Sequence, residues 1–200
     1  MKSEILINNQ TSNGIQTIHL LLSTITATQL LSCIDENAVR EACHTGCINY
    51  SNKWCCPPYS KKITNIISQE NYKYAILICG YINLSDMDYI KNPYQKIKAA
   101  NMILKSRCEK LAREYEAKVN GYCLLSGSCN LCKPCYKKRG LPCNKPSVMR
   151  YSLESTGINV EQLAKKVFNH TLLWYKKGSM PEYTSVVTAI LCKNESTIEF

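Results

Sequence analysis

The stretch from Cys129 to Cys143 reads C-N-L-C-K-P-C-Y-K-K-R-G-L-P-C. Cys129, Cys132 and Cys135 follow one another as C-x2-C-x2-C, a spacing that sets thiolates at successive corners of one cubane. Cys143 offers a fourth thiolate beyond a basic turn. A lone C-x2-C would leave zinc and redox chemistry equally open. Zinc sites usually take two separated cysteine pairs. The triple spacing therefore favours an iron–sulfur cluster of the 4Fe-4S type, with zinc as the alternative.

A second group lies upstream: Cys43-His-Thr-Gly-Cys47, then Trp54-Cys55-Cys56-Pro57-Pro58-Tyr59. Its Cys-x3-Cys opening lacks the third cysteine three residues on that a radical-SAM cluster needs. The Cys-Pro pair that closes a ferredoxin run stands here, at Cys56-Pro57. Two arrangements follow. Either Cys43, Cys47 and one of Cys55 or Cys56 form one site and Cys129, Cys132, Cys135 and Cys143 another, or ligands are shared across the groups. In the first case one ligand is not a cysteine, or one iron is open. His44 could fill that place, although a histidine beside a ligand is more often a plain loop residue.

These loops need a scaffold, and 200 residues can bury a core without disulfide staples. The chain reads as an N-terminal segment, 1–34, partly flexible, and a single cysteine-rich domain, 35–200. Its 13 cysteines are odd in number and cannot all pair within one chain. Residues 15–34, with Leu20 to Leu22 leading on to Leu30-Leu31-Ser32-Cys33, resemble an export signal, but the preceding stretch carries Glu4 and several Asn, and His19, Thr residues and Gln29 interrupt the apolar run. No stretch is long and apolar enough to span a bilayer. The expected location is cytoplasmic, where thiols hold metals rather than disulfides.

The formal charge is +10. Two clusters of about −2 each would bring this to roughly +6, so part of the charge balances the clusters. Between Cys129 and Arg150 stand Lys133, Lys137, Lys138, Arg139, Lys145 and Arg150 with no acidic residue. Such a loop can raise a cluster's potential or dock an acidic redox partner, or it can simply be solvated. Nucleic acid is the weaker candidate partner.

Among the elements, residues 1–14 read as polar and frayed, and Ile15 to Leu22 as a strand. Asp35 caps a helix to about Glu41, and Ser60 caps another bearing Ile63, Ile66 and Ile67. Tyr72 to Tyr81 is a continuously apolar strand, buried on both faces. Asn92-Pro93 opens a long helix to Val119 with Ile97, Ala100, Leu104, Cys108, Leu111 and Tyr115 on one face. Tyr122 to Ser126 and Thr184 to Cys192 read as strands, Leu172 to Tyr175 as a short one, and Asn159 caps a helix from Val160. Cys79 and Cys108 fall within apolar runs and read as core, Cys123 as core or as a neighbour of the metal ligands, and Cys192 as structural.

Three segments carry a family resemblance. They are Cys47-x-Asn49-Tyr50 through Trp54-Cys55-Cys56-Pro57-Pro58-Tyr59, Cys129-x-Leu131-Cys132-x-x-Cys135 with Pro142-Cys143-x-x-Pro146, and Arg150-Tyr-Ser152-Leu-Glu154 through Gly157-Ile158-Asn159-Val160. Together, over about Asp35 to Cys192, they resemble a prokaryotic family of predicted metal-binding proteins, domain of unknown function 2284. The resemblance implies an iron–sulfur protein found mainly in anaerobes, with first-group ligands Cys43, Cys47 and Cys56. Cys55 stands where that family usually has another residue, and Ser147 and Asn144 depart from its pattern. The third segment reads as a helix approach and its cap.

The expected fold is α+β: a small mixed sheet from strands near 73–81, 121–126 and 184–192, a long helix on one face, and two cysteine-rich metal-binding loops converging at one end. Strand, helix and strand over 73–126 suggest a parallel crossover. The function that fits best is a redox protein with one or two iron–sulfur clusters, carrying single electrons or serving a larger enzyme. The alternatives are an enzyme with an open-coordinated cluster acting on a small substrate, sulfur-containing or otherwise, and a zinc-stabilised RNA-binding module.

Overall fold

The protein is described here from a computed structural model covering residues 2–11, 14–176 and 179–196. In chain order its main elements are β1 (Lys2–Thr11), β2 (Gly14–Thr26), α1 (Ala27–Leu31), α2 (Glu36–Gly46), α3 (Ile63–Glu70), β3 (Tyr74–Asn83), α4 (Pro93–Lys118), β4 (Tyr122–Leu124), α5 (Val160–Phe168) and β5 (Tyr183–Cys192). The α+β class holds. The sheet has five strands in the order β1-β2-β3-β5-β4, and every neighbouring pair is antiparallel. Parallel pairing occurs only at the isolated bridge between Leu125 and Ser152, among the described residues.

The crossover differs from the expected one. β3 and β4 run in the same direction, but β5 lies between them. The reason is burial. From Val186 to Cys192, β5 is buried without a break, so it needs neighbours on both edges as well as cover on both faces. β4 is three residues long and can serve as an edge. The 26-residue α4 is about 39 Å long, enough to carry the chain past β5.

β1 replaces the frayed segment expected at the start. It pairs with β2 along its whole length and half-buries Ile5 and Ile7 at alternate positions. Its polar side chains hid a strand that rests on its ladder. Met1, Ser12 and Asn13 lie outside the described residues.

One face of the sheet packs against α4. Ile18, Leu20, Leu22, Ile76, Ile78, Ile82 and Ile190 meet Ile97, Ala100, Leu104, Cys108, Ala112 and Tyr115 there. Gly80 allows this close approach, since a Cβ would stand 2.6 Å from Cys108 Sγ. Asn92 caps α4 through the backbone N–H of Gln95 at 3.0 Å, with Pro93 at the first helical position. The other face carries α1, α3 and α5 through Leu30, Ile63, Ile66, Leu163 and Ala164, together with Cys55 and Cys56. Cys79, Cys108, Cys123 and Cys192 are core.

Three local expectations are corrected. α2 continues to Gly46, so Cys43 and His44 ride on its last turns rather than on a loop. Ser60 does not cap α3; Lys62 holds that position without a side-chain bond, and Ser60 Oγ donates instead to the carbonyl of Ser155 at 2.6 Å. Leu172 to Tyr175 forms no strand. Among the described residues no helix is long and apolar enough to cross a membrane.

Candidate metal centre

The second cysteine loop leaves the edge strand β4 and returns beside it. The backbone N–H of Leu125 donates to Tyr151 at 2.8 Å, and that of Leu153 donates back to Leu125 at 3.1 Å. Residues 126–150 are thus held at their base by their own two ends. The same third segment grips the first loop. Ile158 bridges to Ile34, Asn159 N–H donates to Cys33 at 2.8 Å, and Asp35 N–H donates to Gly157 at 3.0 Å. Asn159 also caps α5 through Gln162 N–H at 3.0 Å, as its sequence suggested. The cap is therefore part of a frame that fixes both loops.

The loops are then tied to each other. Lys53 Nζ donates to Ser128 Oγ at 2.9 Å, to the Cys129 carbonyl at 2.8 Å and to Asn130 Oδ1 at 3.0 Å. Trp54 Nε1 donates to the Leu141 carbonyl at 2.9 Å. Lys137 lies over the rings of Trp54 and Tyr59, at 5.1 and 4.5 Å from their centroids. The expected convergence of the loops is what these contacts produce. Removing the Lys53 contacts with Lys53→Ala is expected to cost about 2 kcal/mol, because they are charge-assisted but partly solvated. A thermal melt should then fall by roughly 4–8 °C, with the far-ultraviolet spectrum of the sheet unchanged.

Cys55, Cys129, Cys132, Cys135 and Cys143 line one small cavity with Trp54, Leu131, Tyr136 and Met149. Four of these cysteines are the C-x2-C-x2-C run and its follower. The fifth, Cys55, was not assigned to this group from sequence. Its Sγ accepts the backbone N–H of Cys129 at 3.1 Å and lies 3.7 Å from Cys56 Sγ. Neighbouring side chains leave the backbone in different directions, so two adjacent cysteines can serve two neighbouring groups. That pairing was the available signal in the sequence.

Cys56 belongs electrostatically with the first group. Its thiol is pulled down by the hydrogen bond from Cys55, against burial and the charge of Cys47, with Lys53 helping and Cys43 opposing. Cys43 is pushed up by burial, then by Cys47 and Glu154, against Arg40. Cys55 feels opposed influences. The Cys129 hydrogen bond lowers it, but the Cys56 hydrogen bond and burial outweigh that and push it up to about 11. Cys129 is pushed up by its hydrogen bond with Cys55 and by burial. Tyr151 is raised by burial and then by the charges of Cys55 and Cys143. His44 sits edge-on to Tyr50 at 5.0 Å rather than among these sulfurs' hydrogen bonds.

All 13 cysteines are free thiols. Among the described residues, no three His, Cys, Asp or Glu side chains converge tightly enough to hold a single metal ion. A tetrahedral zinc site, with Zn–S near 2.3 Å, brings its sulfurs to about 3.8 Å from one another. A cubane asks for a wider ring, since each thiolate takes its own iron. The cavity's lining by Cys129, Cys132, Cys135 and Cys143 offers the sulfur donors that a thiolate-held metal centre takes.

Neither the curated proteins nor the solved structures compared contain a match. Residues 29–191 match the family of predicted metal-binding proteins DUF2284, and with most of its length covered this chain belongs to that family.

Proposed function

We propose that the metal is iron, held as 4Fe-4S clusters, and that the protein carries single electrons or serves as the redox accessory of a larger enzyme. Cys129, Cys132, Cys135 and Cys143 would hold one cluster; Cys43, Cys47 and Cys56 would supply the thiolates of a second. The observation that carries this reading is the Cys55–Cys56 pair, with one member against Cys129 and the other facing Cys43 and Cys47. In support, Cys55 and Cys56 are buried at the junction of the two loops, while Cys43, Cys129, Cys132, Cys135 and Cys143 are half-buried and Cys47 is exposed. Adjacent clusters suit electron relay better than independent structural metals. Cys55 is the connector in this account rather than a ligand of either cluster. Free thiols and metal ligation fit a reducing, cytoplasmic setting.

Lys137 on Trp54 and Tyr59, with Lys133, Lys138, Arg139 and Lys145 nearby, would present a basic face to an acidic redox partner. A second reading has one observation in its favour. Met149, which lines the cysteine cavity, also walls a groove of about 470 Å³ with Tyr72, Tyr122 and Tyr151. A small substrate could sit there beside a cluster. Zinc-stabilised RNA binding gains no comparable feature.

An anaerobic reductive titration tests the relay. The wild type should take up about two electrons per chain, with spin–spin broadening of its electron paramagnetic resonance spectrum from two nearby clusters. Cys55→Ala should keep its iron but shift the midpoint potentials, because a hydrogen-bonded sulfur between the groups is lost. Loss of a whole cluster in Cys55→Ala would make Cys55 a ligand and reassign the set.

A further inference from the structure

The sheet covers one of its two outer edges and leaves the other open. Beyond β4 the chain returns along the edge, where Leu125 N–H donates to Tyr151, Leu153 N–H donates to Leu125, and Leu125 bridges to Ser152. Beyond β1 no strand follows. Among the described residues, the backbone of residues 2–10 makes no backbone bond outside its ladder with β2. β1 is also long for an edge. It keeps ten residues in unbroken register with β2, with no proline and no bulge. Edges are usually short, kinked or guarded by charge, because open N–H and C=O groups recruit another strand. Glu4 does not guard this one. Its carboxylate is turned back over its own sheet, 3.0 Å from His19 Nδ1 and accepting the Tyr81 hydroxyl at 3.3 Å.

The apolar side chains of β1 stand at its middle. Leu6 is 60% exposed on the face away from α4, between Ile5 and Ile7, which are half-buried on the α4 face. A strand that covers this edge must match polar ends and an apolar centre. A second β1 does so when laid antiparallel about a two-fold axis at Leu6. Leu6 then faces its own counterpart, Ile5 faces the second copy's Ile7, Glu4 faces Asn8, and Lys2 faces Gln10. Moving the axis to Ile5 or to Ile7 would set Leu6 against Glu4 or against Asn8, so one register is preferred. Charge favours the same place. The chain carries +10, which repels a second copy, but over residues 2–34 the formal charges are Lys2 and Glu4 alone, and they cancel.

We propose that β1 is a self-association edge: a second copy of this chain pairs with it antiparallel over residues 2–10, about a two-fold axis at Leu6, and joins the two five-stranded sheets into one. The ladder supplies the hydrogen bonds that the open edge lacks, and Ile5, Leu6 and Ile7 of both copies supply the apolar centre. The surface lies on strands that precede the family-matched residues 29–191, and it stands whatever metal the cysteine loops hold.

The test uses the full chain, kept reduced and free of oxygen so that no intermolecular disulfide forms. Sedimentation equilibrium at about 100 µM should read about twice the chain mass of 22.7 kDa and fall toward that mass on dilution. Amide hydrogen exchange over residues 2–10 should slow in the dimer. Leu6→Lys sets two lysines face to face at the axis and should weaken association at least tenfold, with the melting temperature of the monomer kept, because Leu6 is exposed. Asn8→Lys brings a cation opposite the second copy's Glu4 and should tighten the dimer several-fold, whereas Asn8→Glu should loosen it. A wild-type chain that stays monomeric at about 100 µM would overturn the proposal. So would a dimer whose residues 2–10 exchange as fast as in the monomer, or one that Leu6→Lys and Asn8→Glu leave intact.

Discussion

Cys129→Ala is expected to remove about half of the protein's iron and acid-labile sulfide, and Cys43→Ala the other half. The reason is the position of Cys129 between the loops. Cys129 is where the second loop touches the first: its N–H meets Cys55 Sγ, and its carbonyl is held by Lys53. Removing its thiolate leaves Cys132, Cys135 and Cys143 as ligands of the second group; Cys55 also lines the cavity, but its Sγ stays held by the residue-129 N–H that alanine keeps, and Cys43 and Cys47 are held at the end of α2. The two changes should be independent in iron content. Each single variant should bleach about half of the broad absorption near ~400 nm, and the double variant nearly all of it. If Cys129→Ala abolished every iron while Cys43→Ala left the content unchanged, the two groups could not be two centres.

Arg150→Ala is expected to lower stability by about 3 kcal/mol, a fall in melting temperature of roughly 6–12 °C. Arg150 Nε donates to Glu116 Oε1 at 2.5 Å, and both side chains are largely out of solvent, 16% and 13% exposed. The same carboxylate oxygen accepts the backbone N–H of Cys123 at 2.7 Å. Arg150 also lies over the Tyr122 ring at 4.9 Å and donates to the Ser147 and Met149 carbonyls at 2.7 and 3.0 Å. One side chain thereby pins the exit of the second cysteine loop to α4 and β4. Alanine strands the Glu116 carboxylate in a poorly solvated place, and that is the main cost. Arg150→Lys keeps the charge but not the fork, and should fall between the two. A loss below about 1 kcal/mol would mean that the pair behaves as a solvated surface bridge.

Much of this fold can be read along the chain. The caps at Asn92 and Asn159 and the apolar stripe of α4 are local signals, and local physics decides them. β3 and β5 announce themselves by continuous apolar runs. The sheet order is not local: whether β5 pairs outside β4 or inserts beside β3 depends on which strand most needs both edges covered, and short-range pattern does not rank that. β1 escaped notice because an edge strand can be polar. At the site, the two cysteine groups were visible by spacing and Trp54 by its place beside Cys55, whereas the tie made by Lys53 was not. A lysine that bonds Ser128, Cys129 and Asn130 looks in sequence like any surface lysine. Cys55 could have been found from its neighbour, since two adjacent cysteines cannot present both sulfurs in one direction.

The most direct measurement is the iron, acid-labile sulfide and zinc content of the wild-type chain purified without oxygen, recorded with its visible spectrum. About eight irons and eight sulfides per chain are expected, with little zinc and an absorption near ~400 nm that bleaches on reduction. One zinc per cysteine group, with no sulfide and no such absorption, would contradict it.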